Sequence, residues 1–457
     1  MLDQVRYTRL PVQAAGAAVT PPHVLVLLAA LSAGIVAQGG YYLPGRVLVT
    51  ALVTVAVPVA LPAARLGRVD FGPVPVAAAA LAAWVLVRAV GAGDYPAGLG
   101  AVATLGCLLG VLLVVRRTSP AQRESAAGIL VVIGALVALT AWAGVAWRLP
   151  RFAVLVDYQL WRGASTLTYP NAAAALLVPL SLLAIALLVA RPGSVPRAVP
   201  AYLLLVGVGA TLSRAGFLAL LLGFLVLVFA LRAALWRALP VLLGAGIAVA
   251  ALLPSFPVGV APRPLLALLG LLAGVVVVLL PIRVSAVAVP VAGVLAVAGL
   301  PAGLLHEVWR SRGNLDSGGR TGALHAAFQQ VAGHPLTGTG VGPARFIWAS
   351  PDGRGAVALY VHNEYVQTLV DLGAIGLVLL LGLAAAIVAY LYRGRRYPHR
   401  PGIRAGALAA LAAFALHSGF DFLWHITVLP LAASLFIGLA GPAIREETIN
   451  PEVKGEQ

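Results

Sequence analysis

Residues 171–190 read NAAAALLVPLSLLAIALLVA, twenty residues without a charged side chain. At about 1.5 Å of rise per residue, a helix of this length crosses the roughly 30 Å of a hydrocarbon core. Similar stretches recur along the 457-residue chain, which is 61% hydrophobic and only 10% charged. Because the apolar runs are unbroken, they exclude the alternating strands of a transmembrane barrel. The sequence therefore predicts an all-α fold, a polytopic transmembrane helical bundle.

Hydropathy predicts about 12–14 spans, divided by one long polar segment. We expect an N-terminal transmembrane bundle over residues 1–304, a catalytic extracytoplasmic loop carrying short helices over 305–368, C-terminal transmembrane helices over 369–441, and a disordered cytoplasmic tail over 442–457. The predicted spans are 22–40, 45–64, 73–91, 97–115, 125–146, 171–190, 198–213, 215–231, 237–253, 264–281, 283–304, 369–392, 403–419 and 422–441.

The basic residues predict the orientation of these spans. The net charge is +16, which in a soluble protein would indicate nucleic acid, but here the 31 basic residues lie mostly between apolar spans. With the N-terminus inside, nineteen of them fall on the cytoplasmic side and five of the others lie in the long loop, as the positive-inside rule requires. We therefore expect both termini in the cytoplasm, the long loop outside, a lipid bilayer as partner and no nucleic acid. The single cysteine, Cys107, lies in a predicted span and excludes a disulfide framework.

Two arginines on the predicted outer side are candidates for binding an anion. Arg320 follows two glycines at a predicted helix start, where backbone N–H groups and a guanidinium fork suit a phosphate. Arg214 occupies a tight turn between two spans, where a lone outer arginine runs against the charge bias. The structural alternatives are a solvated loop residue for Arg320 and, for Arg214, a side chain that reaches out to the lipid headgroups.

A polar group precedes the span at 369–392. His362, Asn363, Glu364 and Tyr365 are adjacent, and on a helix His362 and Tyr365 would share a face. Four such polar side chains together at a predicted helix start, outside the membrane, indicate a group with a functional role. The alternative is an interfacial helix end with a tyrosine of the aromatic belt.

A second polar group lies late in the chain. His417, Asp421 and His425 are four residues apart, so a continuous helix would place all three on one face. A carboxylate flanked by histidines could orient a general base or bind a metal. We predict no metal, because a metal would need more ligands than this group supplies, and the alternative is a polar turn between two spans. The sequence Gly338-Thr339-Gly340-Val341-Gly342 lacks the context of a nucleotide-binding loop and predicts a turn.

Taken together and in order, these motifs resemble the O-antigen ligase and O-antigen polymerase (Wzy-type) superfamily of bacterial membrane glycosyltransferases. The resemblance covers roughly residues 163–441, and the turn at Arg214 departs from the family pattern because Ala215 separates the arginine from Gly216. The matching segments are GASTLTYPNAAA at 163–174, LSRAG at 212–216, GR at 319–320 followed by HPLTGTG at 334–340, HNEY at 362–365 with DLGAIGL at 371–377, and HS at 417–418 with DF at 421–422.

The resemblance implies a function. Members transfer a glycan from an undecaprenyl-diphosphate-linked donor to a saccharide or protein acceptor hydroxyl, on the outer face of the bacterial cytoplasmic (inner) membrane. The implied mechanism is inverting and metal-independent, with no cofactor. By this carry-over Arg214 and Arg320 hold the diphosphate, and His362 is the catalytic base or positions the acceptor, with Glu364 as a second candidate base. The implied substrate-binding residues are Asn171, Glu364, Tyr365, His417 and Asp421.

Other functions remain open at this stage. Within the superfamily, the sequence does not separate a glycan ligase from a glycan polymerase or a protein O-glycosyltransferase. A lipid-linked glycan transporter is less favoured, because transporters carry ionisable groups near the middle of the membrane. Here the span interiors are almost free of charge, and the polar residues collect on one predicted face.

Overall fold

The structure is a computed structural model that describes residues 19–60, 71–156, 159–280, 318–342, 346–349, 355–397 and 400–442. The predicted span 283–304, the loop residues 305–317 and the tail beyond residue 442 lie outside the described residues.

The described part of the chain is helical and apolar, which confirms the predicted fold class. Seven helices are long and apolar enough to cross a membrane, and six further apolar helices are shorter. Their positions match the predicted spans other than 283–304. The helices are α1 Pro22–Val36, α2 Leu43–Ala60, α3 Val74–Ala92, α4 Tyr95–Arg116, α5 Pro120–Ala146, α6 Pro170–Ala190, α7 Val195–Thr211, α8 Arg214–Ala230, α9 Ala234–Arg237, α10 Leu239–Leu252, α11 Pro264–Leu279, α12 Gly318–Gly333, α13 Glu364–Gly394, α14 Pro401–Ser418 and α15 Val428–Ala440.

Helix α6 is the centre of the bundle and is buried along its length. It packs against α5, α7, α8 and α14. Small residues allow the closest of these contacts: a Cβ atom built on Gly402 would lie 2.6 Å from the Ala186 carbonyl oxygen, and one built on Gly406 would lie 2.7 Å from the Ala186 Cβ. Because lipid gives little hydrophobic drive for helices to associate, such close backbone packing is a main source of cohesion.

Two short antiparallel hairpins add to the helical fold and were not predicted. In the first, β1 Ala153–Val156 pairs with β2 Leu160–Gly163 just before α6. In the second, β3 Phe346–Ala349 pairs with β4 Gly355–Ala358 just before α13. Each hairpin therefore leads the chain into a helix whose first turn carries candidate site residues.

Helix α13 is broken at Gly373, where φ is +67° and ψ is −170°. The predicted turn over residues 338–342 packs against this break: Thr339 and Gly340 donate backbone hydrogen bonds to the carbonyls of Val370 and Asp371, at 2.8 and 3.0 Å. Ala374 in turn donates to Pro335 at 2.9 Å. The turn thus satisfies backbone groups that the broken helix leaves unpaired, as an apolar environment requires.

Candidate functional site

Four separate segments meet at one end of the bundle. They are the N-terminus of α6, the N-terminus of α12, the residues just before α13 and the turn that follows α14. The meeting point is Asp421 in that turn, whose side chain is fully buried. Of the two readings of His417, Asp421 and His425, the structure has the polar turn between two spans and not a continuous helix, because α14 ends at Ser418. The chain then turns, and the turn carries Asp421 to the other three segments.

Both carboxylate oxygens of Asp421 are hydrogen-bonded. The His362 Nδ1 atom lies 2.9 Å from Oδ1, and the Asn171 Nδ2 atom donates to Oδ2 at 2.6 Å. The Tyr169 hydroxyl lies 2.9 and 2.7 Å from the two oxygens. The Arg320 Nη2 atom reaches Oδ2 at 3.5 Å. A buried carboxylate of this kind is stable only with such a full set of donors.

These donors keep Asp421 ionised. Burial alone would raise the pKa of the Asp421 carboxyl, but the hydrogen bond from His362 and the charge of Arg320 outweigh it and hold the pKa below its ordinary value of 3.8. Burial and the neighbouring Asp421 charge raise the pKa of the Tyr169 hydroxyl well above its ordinary value. Tyr169 therefore stays protonated and acts as a donor to the carboxylate.

His362 is a partly buried partner of this carboxylate, with 26% of its side chain accessible. An ionised carboxylate only accepts hydrogen bonds, so the contact with Asp421 favours the tautomer in which His362 Nδ1–H donates and Nε2 faces away as an acceptor. The backbone of His362 is left-handed, with φ at +58°. The residue precedes the N-cap Asn363 of α13, so it shares no helical face with Tyr365. Uncommon backbone of this kind is held in place only by surrounding contacts and is frequent at functional sites.

Arg320 lies in the first turn of α12 and is 38% exposed. Its Nη1 atom also donates to the Phe420 carbonyl at 3.1 Å. The structure thus brings Arg320 and His362 onto the same carboxylate, although 41 residues separate them in the sequence. The guanidinium has five N–H donors, so these two contacts leave donors for an anion.

Arg162 and Asn171 connect the turn that carries Arg214 to the same cluster. The buried Arg162 guanidinium donates to the Thr211 carbonyl at 2.7 Å and to the Asn171 Oδ1 atom at 2.9 Å. Thr211 ends α7, and the exposed Arg214 begins α8 three residues later. Arg214 therefore lies at the same end of the bundle, and the described contacts tie its turn, through Arg162, to Asp421.

Sequence analysis missed two members of the cluster, Tyr169 and Arg162. Both lie in the segment before α6, where tyrosine, tryptophan and arginine also indicate a membrane interface. A signal was present: Tyr169 directly precedes Pro170 and lies two residues before the candidate Asn171. The residue before a proline is held extended, and Tyr169 has φ −137° and ψ 114°.

Glu364 and His425 form a second ionic contact behind the Asp421 cluster. The Glu364 carboxylate is buried, accepts a hydrogen bond from the Trp424 backbone N–H and lies 3.4 Å from the His425 Nδ1 atom. Burial alone would lower the pKa of His425, but the Glu364 and Asp371 carboxylates outweigh burial and raise it. Because Glu364 is enclosed, the geometry favours His362 over Glu364 as the base.

The remaining two predicted site residues face protein. The Tyr365 hydroxyl donates to the Ala415 carbonyl at 2.7 Å, which ties α13 to α14. His417 is 1% exposed, and neither of its ring nitrogens has a hydrogen-bond partner among the described residues. Tyr365 therefore links two helices, and His417 lies inside the bundle.

A stack of three aromatic rings lies beside His362, and its Phe422 ring contacts the imidazole. Phe422 stacks on Tyr169 on one side, with ring centroids 5.2 Å apart, and on Tyr360 on the other at 4.9 Å. The His362 ring meets Phe422 edge-on at 5.0 Å. These rings restrict the orientation of the imidazole.

Within the described ranges, no group of three or more histidine, cysteine, aspartate or glutamate side chains could hold a metal ion. The metal-independent mechanism stays a prediction.

The fold and this cluster define a polytopic helical membrane protein in which one buried carboxylate joins a histidine and an arginine at one end of the bundle. Residues 199–381 match the family model described as O-antigen ligase. This match confirms the resemblance to the O-antigen ligase and polymerase superfamily that the motifs predict. The matched segment contains Arg214, Arg320 and His362. No curated protein matches the chain.

Proposed function

We propose that this protein is an inverting glycosyltransferase that moves a glycan from an undecaprenyl-diphosphate carrier to an acceptor hydroxyl. The observation that carries the proposal is the shared contact of His362 and Arg320 with Asp421, at 2.9 and 3.5 Å. It joins a general base and an anion-binding group, the two functions that displacement of a diphosphate by a hydroxyl requires. The family match over residues 199–381 supports the same class of reaction.

In the proposed reaction, His362 Nε2 takes the proton of the acceptor hydroxyl. The acceptor oxygen forms a bond to the anomeric carbon of the donor sugar, and the bond from that carbon to the diphosphate oxygen breaks. The bonding electron pair leaves with the diphosphate, so a single displacement inverts the anomeric centre. Asp421 orients the imidazole and stabilises the imidazolium that forms, as a buried carboxylate does for other catalytic histidines.

The diphosphate gains charge as it leaves, and arginines are suited to stabilise it. Arg320 keeps guanidinium donors beyond its two contacts with Asp421 and Phe420. Arg214 would supply a second guanidinium from the turn at the start of α8. Each preorganised donor of this kind typically contributes about 3 kcal/mol to the transition state. The proposal needs both arginines to reach the same diphosphate.

The proposed location is the outer face of the bacterial cytoplasmic membrane. This location rests on the distribution of basic residues. Most of them lie at the helix ends far from Asp421, and the positive-inside rule assigns those ends to the cytoplasm. The donor lipid would then lie in the bilayer with its diphosphate at the level of Arg320 and Arg214. The acceptor, a saccharide or a protein hydroxyl, would approach His362 from the aqueous side.

Purified protein in nanodiscs, supplied with a defined undecaprenyl-diphosphate glycan, tests the proposal. Parallel reactions contain a second copy of the donor, a lipid-linked saccharide or a serine-containing peptide as acceptor. We expect one of them to yield a product whose mass is the sum of glycan and acceptor, with free undecaprenyl diphosphate released. The mass of the product identifies the acceptor and separates polymerase, ligase and protein glycosyltransferase activities.

Two controls accompany this experiment. Excess chelator is expected to leave the rate unchanged, and a strict requirement for added metal would contradict the metal-independent mechanism. His325→Ala, an exposed histidine in α12, is expected to keep full activity. If no acceptor yields product or releases undecaprenyl diphosphate, glycan transfer is excluded.

A further inference from the structure

A cavity of about 340 Å³ lies between the ends of α5, α6, α7 and α14. It is at the opposite end of α6 and α14 from Asp421. Since α6 has 21 residues, its rise of about 1.5 Å per residue separates the two sites by roughly 30 Å. The cavity is therefore independent of the proposed catalytic cluster.

Three arginines in this cavity converge on one glutamate. Glu124 lies 2.5 Å from an Arg197 Nη2 atom, 2.7 Å from an Arg400 Nη1 atom and 3.3 Å from an Arg191 Nη2 atom. One carboxylate balances only one of the three positive charges, which leaves an excess of two. Arg191 is 56% exposed and Arg400 is 36% exposed, so both guanidinium groups are accessible from outside the protein.

The surroundings of the arginines favour an amphipathic anion. Arg400 is the N-cap of α14, where the helix dipole adds partial positive charge. Leu187, Ala190 and Ile403 supply an apolar wall beside the charges. Basic pockets between the ends of membrane-spanning helices are typical binding sites for acidic headgroups.

We propose that this cavity is a binding site for a phosphate-bearing anion, held by Arg191, Arg197 and Arg400, with Glu124 as an internal competitor for the same guanidinium groups. The phosphate can belong to a lipid headgroup or to a soluble phosphate ester. In either case its oxygens replace part of the Glu124 contact with Arg191 and Arg400, and the bidentate geometry of arginine suits them.

The test uses the purified full-length protein in detergent, titrated separately with cardiolipin and with inorganic phosphate, and native mass spectrometry to count bound ligand. Phosphatidylcholine is the neutral reference lipid. For the double variant Arg191→Gln/Arg400→Gln we expect binding weakened by about tenfold or more, since each surface arginine contributes roughly a fivefold change. Arg232→Gln removes an exposed arginine just after α8, at the same end of the bundle, and should leave binding unchanged.

Glu124→Gln gives the sharper result, because it removes the competing charge and should tighten binding. A purely structural role of the cluster would instead make this variant bind no better than the wild type.

Preference for cardiolipin identifies a lipid site, and displacement of cardiolipin by inorganic phosphate identifies a general phosphate site; both support the proposal. The proposal is overturned if the folded double variant binds both ligands as the wild type does. If the double variant does not fold, the single variant Arg191→Gln replaces it, because the Arg191 side chain is largely exposed.

Discussion

The His362 Nδ1 atom lies 2.9 Å from the Asp421 Oδ1 atom, and this contact joins a partly buried ring to a fully buried carboxylate. The two residues belong to segments 59 positions apart in the chain. The buried carboxylate fixes the tautomer and the orientation of the His362 ring. His362 is thereby prepared to accept a proton at Nε2 with little rearrangement.

Asp421→Asn is expected to reduce glycan transfer by about 10²- to 10⁴-fold, because the neutral amide neither fixes the tautomer nor stabilises a protonated imidazole. The single-turnover rate of undecaprenyl diphosphate release measures this loss. Size-exclusion chromatography and thermal unfolding establish that the variant is folded. Transfer at the wild-type rate in a folded Asp421→Asn variant would remove Asp421 from the mechanism.

Tyr169→Phe is expected to move the acid limit of stability to higher pH. Because the pKa of Asp421 is below its ordinary value of 3.8, its ionised form stabilises the fold above that value, and this stability is lost as pH falls through the folded-state pKa. The hydrogen bond from the Tyr169 hydroxyl is one of the contacts that lower the Asp421 pKa. Phenylalanine removes this hydroxyl but keeps the ring that stacks on Phe422. We expect a loss of about 1–2 kcal/mol at neutral pH, measured as the unfolding midpoint against pH. An unchanged acid limit would contradict this role.

Glu364→Gln is expected to destabilise the protein more at acidic than at alkaline pH. The pKa of His425 is raised above its ordinary value of 6.5 by the Glu364 carboxylate. The stabilisation from this pair is therefore complete below that value and is lost as pH rises through the raised pKa. Unfolding temperatures of wild type and variant, measured from about pH 5.5 to 8.5, should converge at the upper end.

Glu124→Gln is the matched control for this comparison, because its partners are arginines, which do not titrate in this range. Its effect on the unfolding temperature should stay constant with pH. A pH-independent effect of Glu364→Gln would contradict the role assigned to the His425 charge.

Gly373→Ala is expected to destabilise the fold by about 1–3 kcal/mol. Gly373 has φ at +67°, and a Cβ atom there would overlap the Leu336 carbonyl oxygen. Gly382→Ala on the same helix is the control, since nothing lies within 4 Å of a Cβ atom at that position. Thermal unfolding of the two variants separates them, and equal stabilities would contradict the structural role of the break.

Hydropathy was sufficient to predict the helical spans, because a membrane requires long apolar segments with internally paired backbones. It did not predict the break at Gly373, because the backbone partners of the broken helix come from residues 335–340, a separate segment of the chain. The two hairpins were also not predicted. Their strands are only four residues long, and the residues around them have the composition of a loop.

The candidate site was predicted in its parts but not in its arrangement. Arg320 and His362 were predicted as catalytic residues, whereas Asp421 was predicted only as a substrate-binding residue. Its central position depends on α14 ending at Ser418, whereas spacing alone indicates a continuous face through Asp421 and His425. The contribution of Tyr169 could not be derived from local sequence, because its partner Asp421 lies 252 residues away.

The most direct test of the central claim is the single-turnover rate of glycan transfer in His362→Ala and Arg320→Ala. The matched controls are His325→Ala and Arg151→Ala, which remove exposed residues of the same types at the same predicted face. The account predicts that the first two variants are folded and lose transfer by at least about 10²-fold, while both controls transfer at the wild-type rate. Wild-type transfer by folded His362→Ala and Arg320→Ala would contradict it.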